Sequence, residues 1–204
     1  RFGFPYLSQY ISQWIDLYIY SPLILIFLIV MGPLLTGMVS GLMLVDEADE
    51  NIIPAIAATP LGRRGYMFYR LTAPFVWTFL ILLPVPLLSG LVEINYFIYI
   101  PIIFTASLGA PLEALLIAVP AKNKIEAMAI GKVTGVLFIA PFIGWFSRAP
   151  WKFFAGILPT FWVSESYFNV IAGGVLFPVY ITCGLFIHVF FIYLLLKKYN
   201  LKAD

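Results

Sequence analysis

The chain has 204 residues, 62% of them hydrophobic and 11% charged, with a net charge of +2. Soluble domains carry about 25% charged residues, so this composition excludes an ordinary water-soluble domain and gives no basis for a nucleic-acid partner. One cysteine, Cys183, excludes a disulfide framework and a CxxC site.

The chain begins with a segment, 1–20, that contains "YLSQYISQWIDLY". Tyr6, Tyr10, Trp14 and Leu17 fall on one helical stripe there, with Ser8, Gln9, Ser12, Gln13 and Asp16 elsewhere. This pattern predicts an amphipathic helix lying on the outer membrane interface. The first membrane span is expected at Leu23–Val45. Fourteen of its residues are Leu, Ile, Val or Phe, which favours insertion by roughly 4–8 kcal/mol with no opposing charge. Gly37-x-x-x-Gly41 within it has the spacing of close helix packing.

A hydrophilic island, 46–70, follows. Asp46, Glu47, Asp49 and Glu50 come first, then "PAIAAT" bracketed by Pro54 and Pro60, then Arg63, Arg64 and Arg70. Helix C-termini disfavour anions, so the acids are expected to lead into the next helix. Pro54 suits the first turn of that helix, and Pro60 with Gly62 ends it. A helix this short is unstable alone in water. It must lie on the inner membrane surface or on a partner. The plain alternative is an ordinary cytoplasmic loop that hugs the interface.

The second span is expected at Leu71–Val92 and the third from Tyr96 to about Val119, with Glu93 a solvated charge at the turn between them. Glu113 lies in "LGAPLEALLIAVP", about 10 Å from the nearer end of its helix. An intramembrane acid is a functional candidate; the alternative is pairing with a neighbouring helix or snorkelling beside Pro111. The fourth span, Val133–Phe146, is short and is expected to extend back to Ala127, with Gly131-x-x-x-Gly135 as a second packing motif. Segment 148–173 is too interrupted to cross and return. Its aromatic residues and Pro159 predict a re-entrant or interfacial helical hairpin on the outer side. The fifth span is Val175–Leu196, with Cys183 as packing and His188 as either a packing histidine or a proton relay. Prolines occur in or near every span, Pro33, Pro74, Pro84, Pro86, Pro101, Pro111, Pro141 and Pro178, and bend or break their helices.

The chain is therefore read as an all-α polytopic membrane protein, one transmembrane domain over 1–204. Placing 46–70 in the cytoplasm puts nine basic residues inside and three outside. The reverse topology exchanges these numbers, so the positive-inside rule selects the first, with a cytoplasmic C-terminus. An outer Arg1 without a signal peptide implies one more helix before it, six spans in all. Catalysis is poorly supplied. There is one histidine, no HExxH, and no phosphate loop, since Gly131-Lys132 lacks its upstream glycine.

The island resembles the segment after the second span of ABC-2 type exporter permeases, an acidic cluster, a short coupling helix, and a Thr-Pro pair followed by a small or polar residue and a basic one. The matching residues are Glu47, Asp49, Glu50, Thr59, Pro60, Leu61 and Arg63. Among subgroups the chain most resembles small drug-export permeases of the fluoroquinolone type. Asn51 and Ile52 stand where that family often has Gly-Thr, and Pro54 where a helix former is usual, which implies a shorter or later-starting helix. The resemblance implies the membrane subunit of an ATP-driven exporter in a bacterial or archaeal cell membrane. The partners it implies are a second permease chain, preferably identical, and two separate ATPase subunits, which would hold ATP and Mg, with no cofactor in this chain. Ile56, Ala57, Thr59 and Pro60 would contact the ATPase, with Asp46, Glu47, Asp49, Arg63 and Arg64 as a polar rim. The alternatives are an ion-coupled secondary transporter, for which Glu113 and His188 are the candidates, and a membrane scaffold without transport.

Overall fold

A computed structural model describes residues 18–50, 52–60, 62–92, 95–147 and 149–202. The expected amphipathic helix at the start, Asn51, Leu61, Glu93 and Arg148 lie wholly or mainly outside them, as do the side chains of Pro54 and Ala57. The described residues are helical and contain no strand. Five helices are long and apolar enough to cross a membrane: Ser21–Asp49, Gly62–Ser89, Tyr96–Ala118, Lys124–Phe146 and Phe177–Tyr199. They are called the first to fifth spans below.

The first span differs from expectation at its end. It runs through Val45 to Asp49, so three of the four acids belong to its last turn rather than to the next helix. The unfavourable dipole at that end is offset by cations from distant segments. Lys124 Nζ lies 2.6 Å from Asp46 Oδ2, and Arg70 Nε donates to Glu47 Oε2 at 2.9 Å. Unsolvated apolar helix faces also continue through the turn, since Leu44 and Val45 are buried, so packing carries the helix past the point where the hydrophobic run ends.

The third span is central, with 72% of its apolar window buried against 44% or less in the others. It comprises two helices, Tyr96–Ser107 and Gly109–Ala118, that meet at Leu108. Pro111 explains the break. It has no N–H for the Ser107 carbonyl four residues back, and its ring crowds that oxygen. The first span packs along this helix by its glycines. A Cβ on Gly37 would sit 2.4 Å from Ala110 O, and one on Gly41 would sit 2.9 Å from Ala114 O. Both contacts are within this chain.

Two further prolines free a carbonyl that another element then uses. Pro86 cannot bond Leu82 O, and Tyr99 Oη donates to it at 2.8 Å. Pro141 cannot bond Leu137 O, and Thr160 Oγ1 donates to it at 2.8 Å. The bends expected from prolines are thus also sites of cross-linking between elements, which satisfies buried acceptors that would otherwise be costly.

The fourth span starts at Lys124, earlier than the expected Ala127. Asn123 caps it by accepting from Glu126 N at 3.0 Å, and Glu126 Oε2 accepts from Lys122 N at 2.9 Å, an arrangement close to a capping box. The helix tightens to a 3-10 run at Gly135–Phe138 and resumes at Ile139–Phe146. Gly131 packs on Met38, but a Cβ on Gly135 would meet nothing within 4 Å. The 3-10 run begins at Gly135, and of the two expected packing glycines only Gly131 meets a neighbouring span of this chain. Segment 148–173 forms a 3-10 run, Pro150–Ile157, and a helix, Pro159–Ile171, whose Phe161, Val163 and Tyr167 are buried against the bundle. The fifth span continues as a helix to Lys202.

Candidate functional site

The junction between the first two spans is built from both sides. The short helix covers Ile52–Ala57, two residues earlier than the expected start at Pro54. Pro54 is its third residue, where a missing N–H leaves nothing unsatisfied. Thr59 lies outside the helix and closes it, with Oγ1 donating to Ile56 O at 2.7 Å. Pro60 then keeps Thr59 out of helical geometry, and Gly62, at φ +61°, turns the chain into the second span.

Glu47 is the hub of this junction. Its carboxylate takes Arg70 Nε at 2.9 Å and accepts the Tyr66 hydroxyl, and Arg70 Nη2 pairs with its other oxygen. The ion-paired groups are mostly shielded, each 18% exposed. A partly buried, two-point Arg–carboxylate pair holds a fixed geometry, so the ends of the first and second spans are joined. Asp46 makes a single, more exposed contact to the fourth span through Lys124. The acids thus divide by role. Asp46 and Glu47 bind their own chain, while Asp49 and Glu50 are exposed. Thr59, Pro60 and Arg64 are exposed as well, Arg63 is half-buried, and Ile56 packs against the core formed by Leu44, Tyr66 and Leu115.

Glu113 is buried at the contact of three spans. It is 2% exposed, Thr134 of the fourth span donates to its Oε1, and a Cβ on Gly37 would press on its Cβ at 2.6 Å. Its Oε2 is buried without a hydrogen-bond partner among the described residues. His188 is 1% exposed, and its Nδ1–H donates to Gly184 O at 2.8 Å. A carbonyl only accepts, so the proton is on Nδ1. Nε2 faces Gly109, where the third span breaks. Among the described residues no hydrogen bond or ion pair joins Glu113 to His188.

Two polar contacts lie outside the residues singled out from sequence. Lys152 Nζ lies 2.7 and 2.9 Å from the two oxygens of Glu165, which is buried on the helix Pro159–Ile171. Thr36 and Thr78 hydroxyls meet at 2.5 Å between the first and second spans. The one Lys and one Glu of segment 148–173 were the available signal for the first. Nothing in sequence marks the second.

Residues 1–196 match the family described as Rv2686c-like, fluoroquinolones export permease protein Rv2686c-like. The fluoroquinolones export permease proteins Rv2686c and MT2760 of two Mycobacterium tuberculosis strains are each 27% identical over 190 residues, covering 92% of this chain and 75% of each relative. No solved structure matches. The match extends over almost the whole chain, including the junction, all five spans and the hairpin, and agrees with the resemblance to drug-export ABC-2 permeases: the chain belongs to the Rv2686c-like fluoroquinolones export permease family.

Proposed function

We propose that this chain is the membrane subunit of an ATP-driven exporter, and that segment 46–70 is the lever through which an ATPase subunit moves it. The observation that carries the proposal is the junction. A six-residue helix, Ile52–Ala57, hangs between two spans whose ends are tied by Glu47, Arg70 and Tyr66. A displacement of that helix moves both spans together. Close glycine packing then passes the motion from the first span to the third, because interfaces packed this tightly shift as units rather than deform.

The excess of basic residues on one side supports a cytoplasmic junction and C-terminus. ATP and Mg bind the partner, and two permease chains, most simply identical, form the route. The exposed Asp49, Glu50, Thr59 and Pro60 are the surface left for the ATPase. The relatives' names support a lipophilic drug of the fluoroquinolone class as cargo; peptides and lipid-like molecules suit the same apolar walls.

Deleting 54–60 tests this reading. Export should cease while the partner still hydrolyses ATP. Export at the undeleted level after that deletion would refute it. The buried, unpartnered Oε2 of Glu113 favours a second reading, ion-coupled transport through Glu113 and His188. A Glu113→Gln/His188→Gln protein that still exports would eliminate it.

A further inference from the structure

Between the second, third and fifth spans lies a cavity of about 830 Å³ whose walls include Arg63 and Arg64 from the arginine end of segment 46–70. This falls within the roughly 300–1,000 Å³ typical of ligand sites, so it is a concavity rather than the convex face a helix ordinarily shows to lipid. Its walls are apolar, with Leu108 from the third span and Ile192 from the fifth. The second span contributes Arg63, Met67, Leu71 and Phe75, each four residues from the last and so along one helical stripe. Arg64 lies beside Arg63, so both guanidinium groups are at one end.

The dimensions identify the occupant. From Arg63 to Phe75 the second span advances twelve residues, about 18 Å at 1.5 Å per residue. One leaflet of a bilayer core is about 15 Å, half of roughly 30 Å. The cavity therefore runs about one leaflet deep, with its only cations where headgroups lie. A guanidinium binds phosphate in a two-point geometry, and basic pockets between membrane helices hold phosphorylated headgroups.

We propose that this cavity binds one anionic phospholipid of the leaflet adjoining residues 46–70, its phosphate at Arg63 and Arg64 and one acyl chain along the stripe to Phe75. The site shares Arg63 and Arg64 with segment 46–70, but lipid retention is read without ATP, so its failure would leave the lever reading intact. A free phosphate would match the arginines' charge but leave the apolar wall against water. A zwitterionic lipid would fill the wall but bring no net negative charge.

Native mass spectrometry of the full-length protein tests this. Phosphatidylglycerol and phosphatidylcholine of equal chain length are offered, with glycerol phosphate as the headgroup alone. One phosphatidylglycerol should be retained per chain, preferred at least tenfold over phosphatidylcholine, consistent with two arginines near a charged headgroup. Glycerol phosphate should not be retained. Arg63→Gln/Arg64→Gln should abolish the preference, and Leu108→Trp should exclude the lipid. Lys132→Gln, an exposed cation on the fourth span, should change neither. Equal retention of the two lipids, retention of glycerol phosphate, or an undiminished preference in the double arginine variant overturns the proposal.

Discussion

Substituting alanine for each of two glycines should have opposite effects. At Gly37 a methyl carbon would stand 2.4 Å from Ala110 O and 2.6 Å from Glu113 Cβ. Neither can yield easily: one is backbone, the other is fixed by the third span. Relief requires the first and third spans to separate along their contact. Overpacking of a rigid interface costs about 1–3 kcal/mol, and a backbone clash puts Gly37→Ala at the upper end, about 3 kcal/mol. Total stability is of order 5–15 kcal/mol, so this is a large fraction. For a chain of this length, about 3 kcal/mol corresponds to a Tm lower by roughly 6–12 °C. At Gly135 the added carbon meets nothing within 4 Å, and helix propensity makes alanine neutral or better by up to about 1 kcal/mol. Thermal unfolding of the purified protein in detergent, followed by intrinsic fluorescence, reads both. A Gly37→Ala protein that melts with the parent, or a Gly135→Ala protein that melts well below it, would refute the packing argument.

Four further outcomes are expected. Lys152→Met leaves Glu165 buried without its cation and should cost about 3–5 kcal/mol, while Lys152→Met/Glu165→Leu should recover most of it; denaturant midpoints for the two proteins check the order. Thr160→Val should cost about 1 kcal/mol by leaving Leu137 O unsatisfied, and clearly less in a Pro141→Ala background, where the helix can bond that oxygen itself; a double-mutant cycle measures the difference. Asn123→Ala removes a helix cap and should lower stability by about 1 kcal/mol, read by the same melts. Glu47→Gln removes the charge paired with the mostly shielded Arg70, so it should both lower Tm and reduce drug-stimulated ATP hydrolysis in the assembled transporter, read by melts and by an ATPase assay.

The spans were legible from sequence because a membrane helix is defined by a local property, a long apolar run. Their limits were less so. The first span overran its hydrophobic stretch because the cations that neutralise its acids come from 23 and 78 residues further along the chain. Hydrophobicity cannot report that. The start of the fourth span was different: Asn123 and Glu126 form a local capping signal that a hydrophobic window passes over. Gly135 shows the limit of motif reading. Its spacing from Gly131 suits packing only if the helix stays α-helical, and Pro141 disturbs it six residues later. Of the candidate site, the order of acids, short helix and arginines was visible. The division of the acids into internal ties and exposed groups was not, because it depends on which spans meet. The pairing of Lys152 with Glu165 across Pro159 was hidden for the same reason.

The most direct test of the lever is drug uptake into inside-out vesicles containing the full transporter, measured with and without ATP while ionophores collapse the proton and sodium gradients. The account predicts uptake that requires ATP, survives the ionophores, and disappears when 54–60 is deleted although ATP hydrolysis continues. Uptake driven by an imposed ion gradient in vesicles holding this chain and no ATPase would contradict it.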